Sequence, residues 1–178
     1  ARANAHARTN IDFRSQAIAY AMAQGQAAYY RAMQDAGEMR QVRTRADLDA
    51  HLAAWEAGDR TIGYILAMEG ADPIITPKQA EQWFELGLRS ASIAHYGPSA
   101  YAWGTGSDGG LFPAGRELLG EMRRLGIALD VTHIGAESFW EAMKAYDGPV
   151  HASHNNCRAL VPGDRQFSDE QIRRLVDR

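Results

Sequence analysis

Four residues able to bind a metal or move a proton recur at matching places in the chain: Glu69, His95, His133 and His154. Each closes a short apolar run. The runs are Y-I-L-A-M-E (64–69), R-S-A-S-I-A-H (89–95), I-A-L-D-V-T-H (127–133) and P-V-H-A-S-H (149–154). Imidazole nitrogens and a carboxylate suit zinc or another divalent transition metal. A carboxylate can also bridge two metals, one way to build a two-metal hydrolase. A single histidine at the end of a strand is ordinarily structural. Four such groups at the same place in four successive units point to a shared site.

The elements that must position them follow from periodicity. Residues 14 to about 36 read as a helix, alanine-rich, with Ile18, Met22, Tyr29 and Met33 near helical spacing. A second helix is expected over 45–57, capped by Thr44, with Leu48, Leu52 and Trp55 on one face. Each apolar run then reads as a strand followed by a helix. The first helix opens at Thr76-Pro77-Lys78-Gln79, a capping box with Pro at its first position. The second starts near Pro113, carries Leu118, Met122 and Leu125, and stops at Gly126. The third carries Phe139 and Met143 and ends before Gly148-Pro149. The fourth opens with the capping box Ser168-Asp169-Glu170-Gln171 and continues through Ile172, Leu175 and Val176.

Four strand–helix units imply parallel strands, and near-continuous apolar runs fit burial on both faces. The candidate folds are α/β: a doubly wound sheet or a (β/α)8 barrel. In a barrel, the C-terminal strand ends converge on one mouth, where active sites lie. Residues 1–178 read as one domain, with a helical part over 1–59 and the repeats over 60–178.

Other features carry less. G-T-G-S-D-G at 104–109 matches a nucleotide fingerprint literally, but a long loop (96–112) surrounds it rather than a strand and a helix. A flexible or substrate-covering loop is the expectation there. Cys157 and His154 lack an orienting third group for thiol catalysis. His6 and His51 read as surface residues. Asp130 is a candidate partner behind the ligands. Trp55, Trp83 and Trp140 read as core. In V-H-A-S-H, strand alternation separates His154, toward the mouth, from His151, toward the helix layer.

The 178 residues carry 22 acids and 19 bases, a net charge of −3, which argues against a general nucleic-acid binder. One cysteine precludes an intramolecular disulfide and fits a reducing compartment. There is neither an apolar run long enough to span a membrane nor a signal peptide at the start, so a cytoplasmic location is expected. The first residue is not Met and the end is abrupt and charged, which reads as a segment of a longer protein.

The stretches M-E-G (68–70), I-A-H (93–95), G-R-E-L-L-G-E-M-R-R-L-G (115–126), G-I-A-L-D-V-T-H (126–133), P-V-H-A-S-H-N (149–155) and D-R-Q-F-S-D (164–169) resemble the membrane dipeptidase family, peptidase family M19. The resemblance covers about residues 60 to 178. It implies a (β/α)8 barrel holding two zinc ions, of which this chain has four strand–helix units and N-terminal helices. It implies Glu69 as the bridging carboxylate and His133 and His154 as ligands completing one metal. His95 would face the substrate and stabilise the developing oxyanion, and Arg165 would bind the substrate carboxylate. The implied reaction is dipeptide hydrolysis by a metal-bound hydroxide. The partner is a small dipeptide, with a homodimer as a candidate assembly.

The sequence departs from the family pattern in places. No His-x-Asp pair, the family's ligands for the other metal, occurs in it: H-A-R at 6–8 and N-I-D at 10–12 do not match. The family's late-strand aspartate for the substrate amine has no counterpart. Gln166 stands where Asn is usual, and Asn155 where Ser is common. Two alternatives therefore stand beside the dipeptidase reading: another metal hydrolase acting on a cyclic amide, lactone or nucleobase, and a non-catalytic binding barrel.

Overall fold

The computed structural model describes residues 14–178. Helix α1 (Gln16–Asp35) starts at Ser15, whose hydroxyl accepts from the Ile18 amide. Strand β1 (Met39–Gln41) leads into helix α2 (Arg45–Glu56), where Thr44 and Asp47 close a capping box. Next come β2 (Ile62–Tyr64), β3 (Leu66–Met68), α3 (Ala80–Glu85), β4 (Leu88–Ala91), α4 (Pro113–Leu125), β5 (Ala128–Asp130), α5 (Ala136–Ala145), β6 (Val150–His151) and α6 (Asp169–Val176).

Strands β3, β4, β5 and β6 lie side by side in chain order, all parallel. A doubly wound sheet reverses its strand order partway across. Consecutive order without reversal, with a helix between neighbouring strands, is that of the (β/α)8-type barrel. Leu88, Ala91 and Leu129 join Trp83, Leu118, Leu119, Met122, Phe139 and Met143 in one core. Full burial of each such large side chain stabilises by about 1.5–3 kcal/mol. Helix α4 ends as expected at Gly126, whose φ of 75° is the left-handed cap that glycine adopts without strain.

Several expectations are corrected. The 1–59 part is not wholly helical: β1 pairs in parallel with β2, and α2 is their crossover. Met-Arg-Gln has a single apolar residue and no alternation, so no local signal marks it as a strand. The run at 64–69 is broken at Ile65, which separates β2 from β3. The other three runs form shorter strands, ending at Ala91, Asp130 and His151. The capping box at Thr76 does not form. Thr76 makes no side-chain cap, Pro77–Gln79 is a 3₁₀ turn, and Gln79 Oε1 instead accepts from the Ile75 amide at 2.7 Å. The box at Ser168 does form. Of the three tryptophans expected in the core, only Trp83 is buried, at 2% exposure. Trp55 is 46% and Trp140 37% exposed. Trp55 lies under the Arg60 guanidinium and beside His51, which leave it about half exposed. No described helix is long and apolar enough to cross a membrane.

Candidate metal centre

Glu69 is the first residue beyond β3, while His95, His133 and His154 sit on the connections a few residues past β4, β5 and β6. The shared mouth is therefore built by loops, and what holds those loops together decides the geometry. The Thr105 amide donates to the carbonyls of both His95 (2.9 Å) and His133 (2.8 Å). Ser92 Oγ lies 2.7 Å from the Thr132 carbonyl and 2.9 Å from that of Ala94. Gly104 fits because any Cβ there would fall onto the His95 carbonyl oxygen. Residues 96–112 are accordingly a packed loop rather than a flexible one: Tyr101 and Ala102 are buried, and the Tyr101 hydroxyl donates to the Ile74 carbonyl. Burial pushes the Tyr101 phenol up to about 12. Within G-T-G-S-D-G, Gly104 serves close backbone approach, while Gly106 and Gly109 take positive φ of 74° and 139°.

Three imidazoles meet at one carboxylate oxygen. Glu69 Oε1 lies 2.9 Å from His154 Nε2, 3.1 Å from His133 Nε2 and 3.7 Å from His95 Nε2. The donor atoms of Glu69, His95 and His133 all lie within 4.8 Å of one another. His154 joins through Glu69. Ligand atoms sharing one zinc at about 2.0–2.2 Å stand roughly 3–3.5 Å apart; the His133 and His154 nitrogens lie near that distance from Oε1, and His95 lies beyond it. His133 is the innermost, with 4% of its side chain exposed, and adopts φ 69°. A non-glycine residue in that region marks a backbone held by its surroundings.

The electrostatics fit a cation. Burial, then the neighbouring His95, Arg165 and His154, press the His133 imidazole down to about 3. It is neutral at physiological pH and cannot neutralise Glu69 by protonation. A cation placed among these ring nitrogens and the Glu69 carboxylate would be met by lone pairs from both. The set of imidazole and carboxylate donors therefore suits a divalent transition metal. One consequence concerns stability. The unfolded histidine binds a proton near pH 6.5 and the folded one does not until about pH 3. Unfolding below pH 6.5 thus takes up a proton, and the fold loses stability as pH falls, by up to about 1.4 kcal/mol per pH unit. Urea unfolding of metal-free protein from neutral pH down to pH 4 should show this slope in wild type and lack it in His133→Gln. Parallel profiles would contradict it.

Behind the ligands lies a hydroxyl network. Asp130 Oδ1 accepts from the amides of Thr132 (3.0 Å) and Ser153 (3.1 Å), and Oδ2 accepts from Ser153 Oγ (2.5 Å). Burial pushes the Asp130 carboxyl up, but these donors outweigh it and hold it below the usual carboxylate range. Ser153 Oγ lies 2.7 Å from His154 Nδ1, and Thr105 Oγ1 lies 3.3 Å from His133 Nδ1. Arg165 Nη2 donates to the His154 carbonyl at 2.7 Å. Its Nη1 is buried without a partner among the described residues. Asn155 steadies this corner through Thr132 Oγ1 and the Arg165 carbonyl.

Other histidines separate from the site. His151 does not face the helix layer. Val150 does, and His151 turns to the opposite face, where Nε2 meets Ser90 Oγ at 2.6 Å. The strand ends at His151, so alternation does not extend to His154. His51 is partly buried against Gly63 and beside Arg40, a packing role. His6 lies outside the described residues. Cys157 turns to Asp169 (Sγ–Oδ1 3.5 Å). Sequence reasoning passed over Ser92, Thr105, Thr132 and Ser153. For two of them a signal existed, since a hydroxyl residue directly precedes both His133 and His154.

A parallel barrel segment with imidazoles and a carboxylate gathered beyond its C-terminal strand ends defines a metal-site protein of the hydrolase-barrel kind. The chain belongs to the membrane dipeptidase family, peptidase family M19, whose sequence model matches residues 4–178. It is similar to a metallopeptidase from Rhodobacter sphaeroides solved with a phosphinate mimic of the dipeptide L-Ala-D-Ala. The TM-score is 0.82 and the identity 28%, over 92% of this chain and 48% of that one. An uncharacterized dipeptidase of Schizosaccharomyces pombe is 29% identical over 121 residues, 65% of this chain and 30% of that protein. Dipeptidase tcpJ of Claviceps purpurea is 33% identical over 94 residues, 51% of this chain and 22% of that protein. The chain thus spans about half the length of the solved relative and less of the curated ones.

Proposed function

We propose that the intact protein is a zinc-dependent dipeptidase whose centre is built on Glu69. The observation that carries this reading is the convergence of three imidazole Nε2 atoms on Glu69 Oε1. Glu69, His133 and His154 would hold one ion, with Glu69 free to share its second oxygen with another. A metal held there supplies a Lewis acid for the scissile carbonyl and lowers the pKa of water. His95 is farther from Glu69 and half exposed, a place from which it would face the substrate and stabilise the oxyanion that develops there. Arg165 offers a charged fork, anchored through Nη2 and carrying an unpaired Nη1, to the carboxylate of a dipeptide. The phosphinate dipeptide mimic bound by the Rhodobacter protein has the tetrahedral shape of the addition stage of peptide hydrolysis, which supports the same substrate class here.

Two measurements on the intact protein test this: metal content after purification, and release of amino acids from a panel of dipeptides. Absence of both from folded protein sinks the reading. The Arg165→Ala variant should raise KM by about 10- to 100-fold for dipeptides with a free C-terminal carboxylate. The same peptides as C-terminal amides should change little. Equal loss on both would favour a hydrolase of uncharged cyclic amides or lactones.

A further inference from the structure

We propose that Asp130 and Ser153 form a positioning relay that fixes which nitrogen of His154 is free to bind metal. The inference rests on His154 as a ligand. Ser153 Oγ carries one hydrogen and has three oxygen or nitrogen neighbours: Asp130 Oδ2 at 2.5 Å, His154 Nδ1 at 2.7 Å and Thr132 Oγ1 at 3.3 Å. A carboxylate oxygen can only accept. Asp130 Oδ1 is already accepting from two backbone amides, which locks the carboxylate in place. The short contact to Oδ2 therefore takes the serine hydrogen. Thr132 Oγ1 is no rival, being at 3.3 Å and itself donating to Asn155 Oδ1 at 2.7 Å.

With its hydrogen committed, Ser153 Oγ can only accept from the imidazole. His154 then carries a proton on Nδ1, and with a cation in place of a proton between the ring and Glu69 its Nε2 is left bare. Nε2 is the nitrogen aimed at Glu69 Oε1, 2.9 Å away. The direction of hydrogen bonding thus runs from ring to serine to aspartate, and the metal-facing nitrogen is presented in its ligating form. Ring nitrogens of metal-binding histidines are commonly oriented through the other nitrogen, directly by a carboxylate or carbonyl. Here a serine is inserted between ring and carboxylate, because Asp130 stands on β5 while His154 follows β6. Asp130 and Ser153 touch neither substrate nor metal and act only through the ring.

The test reads the tautomer directly. Long-range ¹H–¹⁵N NMR of the His154 ring in metal-free Glu69→Gln protein, whose side-chain amide can either donate to or accept from Nε2, at about pH 8 where imidazoles are neutral, should show a proton on Nδ1 and a bare Nε2. With Asp130→Asn added, the amide at position 130 can turn its NH₂ toward Ser153. The serine then donates to the ring, and His154 should switch to the Nε2–H form. Ser153→Ala should give a mixture of forms on the Glu69→Gln background and, with Glu69 in place, weaken zinc affinity by about 10- to 100-fold, while Ser153→Thr should restore both. A Glu69→Gln ring protonated on Nε2 overturns the proposal. So does a Ser153→Ala protein with unchanged tautomer and unchanged zinc affinity. An intact protein whose Glu69→Gln form shows the Nδ1–H ring and the Asp130→Asn switch, but which hydrolyses no dipeptide with Glu69 in place, would leave the relay standing and remove the dipeptidase reading.

Discussion

Replacing Glu69 with alanine is expected to abolish tight metal binding and to lower dipeptide hydrolysis by the intact protein at least about 10³-fold, roughly 4 kcal/mol of transition-state stabilisation. Glu69 Oε1 is the single point on which His133, His154 and His95 converge. Without it, three nitrogens remain with no anionic ligand to hold a dication. The loss should be one of function alone. The Glu69 side chain is 49% exposed and packs into no core, so the thermal midpoint of the metal-free protein should barely move. His133→Ala should likewise lose metal, whereas His95→Ala should keep metal and lose kcat. Calorimetric zinc titration with steady-state kinetics on the three variants separates these outcomes. A Glu69→Ala protein retaining a tenth of wild-type activity would end the assignment.

Gly104→Ala is expected to destabilise the fold by about 3 kcal/mol, near the upper end for overpacking, and to weaken the metal centre at the same time. The added methyl would fall onto the His95 carbonyl oxygen and close to that of Gly97. Both are backbone atoms, and neither can swing aside as a side chain would. The next residue, Thr105, donates one amide to the His95 and His133 carbonyls together, so a shift at 104 passes to both imidazole-bearing loops. Gly120→Ala is the matched control. It lies within α4, where a Cβ meets nothing within 4 Å, and should gain about 0.5–1 kcal/mol from helix propensity. Urea unfolding and zinc titration of the two variants decide the matter. Equal stabilities would refute the account of the 96–112 loop as a packed spacer between ligand loops.

Much of the architecture is local in origin. The alternation of apolar runs with amphipathic helices, the caps at Thr44 and Ser168 and the stop at Gly126 are written in residues a few positions apart, and they formed as read. The box at Thr76 failed because Gln79 found a nearer amide at Ile75. Strand β1 was illegible because three residues with one apolar member have no period to detect. It exists because β2 offers its ladder. Trp55 and Trp83 each sit on a helix with apolar neighbours. Only the second is buried, because burial depends on what the rest of the chain brings against that face.

The site divides in the same way. The residue types and their place after each apolar run were determined by sequence alone, since the chemistry of a carboxylate and imidazoles and the spacing of strand–helix units are local properties. The convergence of Glu69, His95, His133 and His154 needed the tertiary structure. It depends on strands ending before the ligand histidines, on the left-handed backbone at His133, and on hydrogen bonds from Thr105, Ser92 and Ser153 to residues of other strand–helix units. Those bonds join residues tens of positions apart, where no periodicity reaches, and they decide where each ring points.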